Sequence, residues 1–175
     1  MTLRLRPALP DDAALLRAWD DAPHVAESGG DPDWNDWDWE VQLGRSVPWR
    51  EMLIAEVDEG AGARPVGFVQ IIDPAEEESR YWGGDCPPNL RAVDIWIGGA
   101  GDIGRGFGRR MMDLALARCF ADPAVTAVLV DPMADNIRAH RFYQAVGFRV
   151  VGPRRFGPDD CLVHRLERAD WRRSP

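Results

Sequence analysis

A glycine-rich loop between a strand and a helix is the feature that most constrains this chain. Residues 103–110 read IGRGFGRR, follow an apolar strand pattern at Val93–Ile97 and open a helix pattern at Gly106–Phe120. Glycines let several backbone N–H groups turn toward one point, and the helix dipole adds positive potential there. The segment therefore predicts a site for a phosphate or diphosphate group.

The loop differs from two common nucleotide-binding loops. It lacks the Lys-Ser/Thr ending of a Walker-type P-loop, so the sequence does not support nucleotide triphosphate hydrolysis. A dinucleotide-binding interpretation is also poor, because the loop lies late in the chain and the preceding strand carries Asp94 and Trp96. A glycine loop by itself also fits a plain tight turn, so a second signal is needed.

The second signal lies about thirty residues further on. Ala127–Val130 has the pattern of a buried strand, and a helix pattern runs from Asn136 to Val146. Asn136 is suited to cap this helix, and Gly147 to end it in a left-handed conformation. Asn136 and Tyr143 fall on one face of the helix at the three-and-four spacing. A polar residue and a phenol therefore point the same way.

Together these segments resemble the GNAT acyltransferase superfamily. Ile103–Gly108 resembles its acyl-CoA pyrophosphate loop, and Asn136–Phe148 resembles its Asn-to-Tyr helix followed by Gly-Phe. Over nearly the whole chain, the resemblance is closest to the aminoglycoside 6'-N-acetyltransferase branch. The stretches that support this are Val93–Ile95, Phe120–Thr126 and Val130–Pro132. One departure is the first position of the loop, usually Gln or Arg, which is Ile103 here.

The resemblance implies an α/β fold with a GNAT-like mixed, mostly antiparallel central sheet, splayed middle strands and flanking helices. The order of patterns agrees, since strands come first as a meander and then alternate with helices. We assign residues 1–168 to one such domain and residues 169–175 to a C-terminal tail. Further segments predicted to be regular are Leu3–Arg6, Asp12–Trp19, Trp34–Leu43, Glu51–Val57, Val66–Ile72 and Cys161–Leu166.

The resemblance also implies acetyl-CoA as the cofactor. In the resembling fold, the fourth and fifth strands separate and pantetheine pairs with the exposed backbone between them, which is Ile95–Ile97 here. An N–H of this edge is expected to contact the thioester oxygen. The residues assigned to cofactor binding are Ile95, Trp96, Ile97, Ile103, Gly104, Arg105, Gly106, Phe107, Gly108, Arg109, Asn136 and Tyr143.

Three residues carry the expected chemistry. Tyr143 is the candidate general acid for the departing thiolate, and the alternative is a tyrosine packed against the sheet. Asp94 interrupts an apolar strand, where a carboxylate is costly unless it is paired or faces a cleft. With the resemblance, Asp94 is assigned as the base and Asp131 as a substrate holder. A structural ion pair with an arginine is the alternative for both, and a helix cap is the alternative for Asn136.

The net charge of the chain bears on the identity of the substrate that accepts the acyl group. The chain has 29 acidic and 21 basic residues, a net charge of −8, which disfavours nucleic acid and anionic membrane as partners. It suits a small cationic amine, although plain solubility explains it equally well. Trp34 and Trp37 lie in an Asp-rich segment that is either an amphipathic helix or a substrate lid. Both tryptophans and Glu77, from a second acidic cluster, are assigned to substrate binding.

Some properties are expected to be absent. Three irregularly spaced cysteines form no metal-ligand pattern, so no metal is expected. No apolar run approaches the roughly 20 residues that span a bilayer, and the first residues show no signal-peptide core, so a cytoplasmic protein is expected. His140 is interpreted as a surface residue and His164 as a strand residue. A monomer and a homodimer both remain open.

The sequence therefore predicts an acetyl-CoA-dependent N-acetyltransferase that acts on a primary amine of a small polycation, with a 6'-N aminoglycoside as the leading candidate. Within the same fold, a polyamine N-acyltransferase and a siderophore or lysine-type acyltransferase are the alternatives. From a different class, the chain is a non-catalytic acyl-CoA-binding sensor. Asp94 and Tyr143 argue against the sensor, because binding alone needs neither residue.

Overall fold

A computed structural model describes residues 2–29, 37–60 and 62–171. They form a twisted sheet with helices on both faces. The strands are β1 (Thr2–Pro7), β2 (Arg50–Asp58), β3 (Ala63–Ile72), β4 (Leu90–Ile97), β5 (Ala127–Val130), β6 (Arg149–Phe156) and β7 (Asp159–Glu167). The helices are α1 (Ala13–Asp20), α2 (Pro23–Ala26), α3 (Trp39–Gly44), α4 (Phe107–Cys119) and α5 (Ile137–Val146), with short 3₁₀ turns at Pro10–Asp12, Ala100–Asp102 and Arg168–Asp170.

The sheet topology confirms the predicted fold class. The strand order is β1-β2-β3-β4-β5-β7-β6, and every neighbouring pair is antiparallel except β4 and β5. A short connection joins β2 to β3, and another joins β6 to β7. The parallel pair requires a crossover, and α4 supplies it by packing against β1, β3 and β4.

The middle of the sheet is splayed, as predicted. β4 and β5 pair only where Leu90–Ala92 faces Ala127–Leu129, while β4 continues to Ile97. Pro132 follows β5 almost directly and has no backbone N–H to extend the ladder. The second half of β4 therefore borders a gap instead of a neighbouring strand.

The period of two along β4 separates two faces of the sheet. Val93, Ile95 and Ile97 contact the main core, which α4 covers with residues such as Met111 and Met112. We call this side the α4 face. On the opposite face lie two smaller apolar clusters. One packs α1 and α3 onto the sheet and includes Trp19, Trp39, Phe68 and Trp96; the other includes Trp82, Leu129, Phe156 and Val163.

Within the described residues, the tryptophan-rich segment forms a helix over only part of the predicted range, Trp34–Leu43. Residues 30–36, which include Trp34, lie outside the described residues, and α3 begins at Trp39 instead. Trp39 is buried, its indole N–H donates to Asp20, and its ring packs edge-on against Phe68. At the other end of the described chain, Trp171 packs against Phe120 with 5.0 Å between the ring centroids. None of the helices in the described ranges is long and apolar enough to cross a membrane.

Candidate active site

The glycine loop has the backbone geometry of an anion site. Gly104 and Gly106 have φ values of +79° and +82°, which side-chain-bearing residues adopt at a cost. A Cβ at either position would meet nothing within 4 Å, so the backbone angle and not space requires glycine. Gly106 is the N-cap of α4 and brings no capping side chain. The first N–H groups of α4 have no partner within the helix and are available to a ligand.

The arginines of this loop are already paired with acids. Arg105 contacts Asp102 at 2.9 Å and also Glu59, while Arg64 forms two bonds of 2.8 Å to Asp102. These guanidinium groups hold the pKa of Asp102 below its usual range, with Arg64 contributing most. Arg109 contacts Asp113 at 3.0 Å and donates to the backbone oxygen of Ala145. A phosphate group would therefore be held mainly by backbone amides, with Ile103 adding no polar contact.

The free edge of β4 directs backbone groups into the gap. Gly98 N–H donates to Val66 O on β3. Because backbone groups alternate along a strand, those of Ile95 and Ile97 point away from β3, toward the splay. There, His24 Nε2 lies 2.9 Å from Ile97 O. The side chains of Ile95 and Ile97 pack on the α4 face, whereas that of Trp96 packs on the opposite face against Phe68.

Two carboxylates stand at the mouth of the splay. Asp94 and Asp131 each follow the last pair of the β4–β5 ladder, Ala92 with Leu129, by two residues, so both side chains belong to the opposite face. Gln70 Nε2 donates to Asp94 Oδ2 at 2.9 Å. Tyr81 Oη donates to Asp131 Oδ2 at 2.8 Å. Neither carboxylate has an ion-pair partner within residues 2–29, 37–60 and 62–171.

Their surroundings disfavour two negative charges. Burial raises the pKa of Asp94, and the hydrogen bond from Gln70 opposes this. Burial first, and then the charge of Asp94, raise the pKa of Asp131 to about 7, while the hydrogen bond from Tyr81 opposes the rise. Two acids that interact so closely titrate as a pair. The pair can therefore exchange a proton near neutral pH and attracts cations.

Tyr143 lies in α5, and its side chain belongs to the main core on the α4 face, near enough to Asp94 and Asp131 for their charges to act on it. It is buried, with the Phe148 ring 5.6 Å away and the His164 ring 6.0 Å away, measured between centroids. Burial first, and then the charges of Asp94 and Asp131, raise the pKa of Tyr143 above its usual range. The phenol therefore stays protonated at neutral pH and can act as a hydrogen-bond donor.

Asn136 caps α5, the alternative considered from the sequence. Its Oδ1 accepts a 3.0 Å hydrogen bond from Ala139 N–H. This bond uses one of the orphan donors of the helix and fixes the first turn of α5. The cap leaves the position of Tyr143 two turns later well defined. Contact between Asn136 and pantetheine stays a prediction.

Two of the residues assigned to substrate binding have contacts of their own. The Arg50 guanidinium lies 5.4 Å from the Trp37 ring centroid, so a protein cation already occupies that ring. Glu77 accepts backbone hydrogen bonds from Ser79 at 2.9 Å and Tyr81 at 2.7 Å, and thereby shapes the loop between β3 and β4. Trp34 lies outside the described residues. Substrate contacts by these three residues stay predictions.

Gln70 and Tyr81 were not predicted from the sequence as site residues. Gln70 is a polar residue in an apolar strand and lies opposite Asp94 in the β3–β4 register, so strand alignment would have exposed it. Tyr81 lies in a long loop, where no periodicity reports its position. The interpretation of His140 as a surface residue is wrong, because it is buried and its ring stacks on that of His164 at 5.1 Å. Across the described ranges, no group of acids, histidines and cysteines is arranged to hold a metal ion.

Comparison with known proteins shows which family the sequence matches. A family model described as an acetyltransferase (GNAT) domain matches residues 8–156. The aminoglycoside N(6')-acetyltransferase type 1 of Klebsiella pneumoniae is 27% identical over 153 residues, covering 86% of this chain and 76% of the relative. The lysine N-acyltransferase MbtK of Mycobacterium tuberculosis is 25% identical over 159 residues, covering 85% and 69%.

A solved structure supports the same fold. The aminoglycoside acetyltransferase AAC(6')-Ib, in its complex with ribostamycin and coenzyme A, superposes with a TM-score of 0.85 at 24% identity. The superposition covers 97% of this chain and 96% of that one. At this level of identity the likeness establishes the arrangement of strands and helices.

Proposed function

The chain belongs to the GNAT acetyltransferase family, and on that premise we propose that it acetylates a primary amine of a small polycation, most specifically the 6'-amino group of an aminoglycoside. The observation that carries the proposal is the pair of carboxylates, Asp94 and Asp131, at the mouth of the splay. Neutral donors orient both groups, and no ion pair to either exists among the described residues. Their charge is therefore available to a cationic acceptor.

Acetyl-CoA supplies the acetyl group as a thioester. The residues that fit it are the backbone amides of the loop at 103–109 and the free edge of β4 at Ile95–Ile97. The Gly106 N-cap leaves the start of α4 open to a diphosphate, and the second half of β4, which has no strand partner on the β5 side, offers backbone groups to an extended chain. In this arrangement the N–H of Ile95 points into the gap and is our candidate donor to the carbonyl oxygen.

The chain's own groups then divide the proton transfers. The acceptor binds as an ammonium ion and must lose a proton before its nitrogen attacks the carbonyl carbon. Asp94 takes this proton, directly or through one water, and its raised pKa makes it a stronger base than an ordinary aspartate. Asp131 holds a second cationic group of the acceptor. As the carbon–sulfur bond breaks, Tyr143 gives its proton to the leaving sulfur, and the second proton that the nitrogen loses on forming the amide restores the phenol.

The choice of acceptor rests on charge and on the relatives. The net charge of −8 and the carboxylate pair favour a polycation over an acidic peptide. The Klebsiella relative is named as an aminoglycoside acetyltransferase, and ribostamycin is bound in the structure superposed above. The lysine acyltransferase relative keeps an amino-acid-like amine as the second candidate.

Thiol release tests the proposal. Purified protein and acetyl-CoA are combined with an aminoglycoside that has a 6'-amino group, a matched compound with a 6'-hydroxyl group, spermidine and lysine. We expect thiol release with the 6'-amine at a kcat/KM at least about tenfold above that of the 6'-hydroxyl compound, since a neutral hydroxyl lacks the ion pair and is a weaker nucleophile. Mass spectrometry and NMR of the product identify the acetylated nitrogen.

Three outcomes would redirect the proposal. Preference for lysine would support the lysine-type alternative, and preference for spermidine the polyamine alternative. Tight binding of acetyl-CoA in calorimetry with no thiol release from any amine would contradict catalysis and favour the sensor.

A further inference from the structure

The loop between β3 and β4 sends one side chain into the acceptor site. Tyr81 lies in this loop, fifty positions before Asp131 in the chain, and its hydroxyl donates to Asp131 Oδ2 at 2.8 Å. No other side chain among the described residues donates a hydrogen bond to Asp131. The loop is therefore coupled to the acceptor site through a single phenol.

Tyr81 is held rigidly in this position. Its ring stacks on Phe156 with 4.4 Å between centroids and an angle of 5° between planes. Its backbone N–H donates to Glu77 Oε2 at 2.7 Å. The next residue, Trp82, is buried, and its backbone oxygen accepts from Arg154. Because the ring is stacked on Phe156 and the backbone on either side is hydrogen-bonded, the hydrogen bond to Asp131 costs little conformational entropy to form.

A phenol orients a carboxylate without cancelling its charge. Asp102, near the glycine loop, shows the opposite arrangement, since two arginines surround it. Among the side chains of the described residues, Asp131 receives a hydrogen bond from a neutral donor on Oδ2, which leaves Oδ1 and the charge of the ionised form without an ion pair. A carboxylate has about four acceptor positions, so one bond from Tyr81 does not saturate it.

We propose that Tyr81 is a positioning residue for the acceptor: it fixes the Asp131 carboxylate so that Oδ1 faces an ammonium group of the substrate. This inference rests on the proposed function, because it assigns Asp131 to the acceptor. It also makes the β3–β4 loop a determinant of acceptor choice. Acceptors with a second ammonium group at the distance set by Asp131 benefit, and monoamines do not.

Tyr81→Phe tests the proposal with little disturbance, because phenylalanine keeps the stack on Phe156 and loses only the hydroxyl. We expect the KM for a polycationic acceptor to rise about five- to tenfold, the loss typical of one hydrogen bond. The kcat, the KM for acetyl-CoA and the KM for a monoamine acceptor should stay within about twofold. Ser46→Ala, which removes an exposed hydroxyl outside this loop, should change none of these values.

A double-mutant cycle with Asp131→Asn shows whether Tyr81 acts through Asp131. In the Asp131→Asn background, adding Tyr81→Phe should raise the acceptor KM by less than about twofold, because the carboxylate is already lost. A full five- to tenfold rise in that background would overturn the proposal. A parallel loss of acetyl-CoA affinity, or a lowered Tm of Tyr81→Phe, would indicate a structural role and would also overturn it.

A measurement without turnover separates the inference from the proposed function. The Asp131 carboxyl is followed by ¹³C NMR across pH in the wild-type protein and in Tyr81→Phe. Removal of the phenol should move the titration to higher pH, since its hydrogen bond favours the ionised form. If the wild-type protein releases no thiol with any amine, the proposed function fails. An unmoved titration means that the positioning role of Tyr81 fails, whether or not turnover occurs.

Discussion

The cofactor side and the acceptor side of this site handle charge in opposite ways. Around the glycine loop, the charged groups are paired with each other, as in Arg105 with Glu59 and Asp102. At the mouth of the splay, Asp94 and Asp131 lie in a sheltered position with neutral donors only. The first region would bind an anion with main-chain amides, and the second would bind a cation with unpaired acids.

The difference bears on which of the two regions distinguishes between ligands. An exposed ion pair such as Arg105 with Glu59 contributes about 0–1 kcal/mol, so it mainly keeps the shape of the loop. Sheltered carboxylates without a counter-ion destabilise the free protein and become favourable when a cation arrives. On the proposed function, we expect the loop to bind the diphosphate of acetyl-CoA and the acid pair to select the acceptor.

The largest expected effect tests the acceptor side alone. Asp94→Asn removes the proposed base and should lower kcat/KM for the amine by about 100-fold or more, the usual range for a lost general base. The dissociation constant of acetyl-CoA, measured by calorimetry, should change by less than about twofold. Asp160→Asn is the control, because it removes an equal charge from an exposed position. Equal losses for both substrates would erase the division between the two regions.

The next effect tests the cofactor side alone. Gly106→Ala forces a positive φ on a residue with a Cβ at a cost of about 1–2 kcal/mol, so acetyl-CoA affinity should fall about tenfold. The acceptor KM should not change. Gly152→Ala imposes a similar backbone strain on β6, where a Cβ would also meet nothing within 4 Å. Calorimetry measures the acetyl-CoA affinity of both variants. A tenfold loss of affinity in Gly152→Ala would mean that general backbone strain, and not the loop, causes the effect.

The affinities for the acceptor and for coenzyme A should depend on pH differently, with a smaller effect than the two substitutions above. Asp94 and Asp131 titrate as a pair, and the pKa of Asp131 is raised to about 7, so the pair gains negative charge as pH rises through about 7. Affinity for a polycation should therefore rise several-fold as pH increases through about 7, and Asp131→Asn should abolish the rise. Coenzyme A affinity should stay level across the same window. A level profile for the polycation would contradict the role of Asp131.

The stability of the free protein should follow the opposite direction. A carboxyl whose pKa is raised on folding stabilises the protein below its usual pKa, and this stability is lost as pH rises toward 7. Asp131→Asn should therefore raise the Tm at pH 8 by a few degrees and change it little at pH 4. A Tm that falls at both pH values would mean that Asp131 is structural.

The smallest effect concerns the arginine of the loop. Arg105→Gln should raise the KM for acetyl-CoA by less than about threefold, because Arg105 already pairs with Glu59 and Asp102. Steady-state kinetics at low and moderate salt measures this. A loss above tenfold would mean that Arg105 leaves its acids to bind phosphate, and the cofactor side would then not be a main-chain site.

The sequence predicted the regions where local rules decide the structure. Strand β5 was expected at Ala127–Val130 and is found there, and helix α5 follows its Asn136 cap as expected. The glycines of the loop predicted the open start of α4 because positive φ is a local property. The family resemblance, now confirmed by the matched domain, supplied the splay between β4 and β5.

What the sequence missed depends on contacts between distant segments. The partner of Asp131 comes from a loop fifty residues away, and the partner of Asp94 from the neighbouring strand. The acids that contact Arg105 come from the β2–β3 turn and a 3₁₀ turn, and its assignment to cofactor binding stays a prediction. His140 was misplaced because the stack on His164 joins α5 to β7.

One NMR experiment tests the division between the two regions most directly. ¹⁵N-labelled protein is titrated first with coenzyme A and then with a polycationic amine. We expect coenzyme A to shift the amides of Gly104, Gly106 and Gly108, and the amine to shift the Gln70 side-chain amide with little further change in the loop. If coenzyme A leaves the three glycine amides unmoved, or the amine perturbs them as strongly as it perturbs Gln70, the two-region account is wrong.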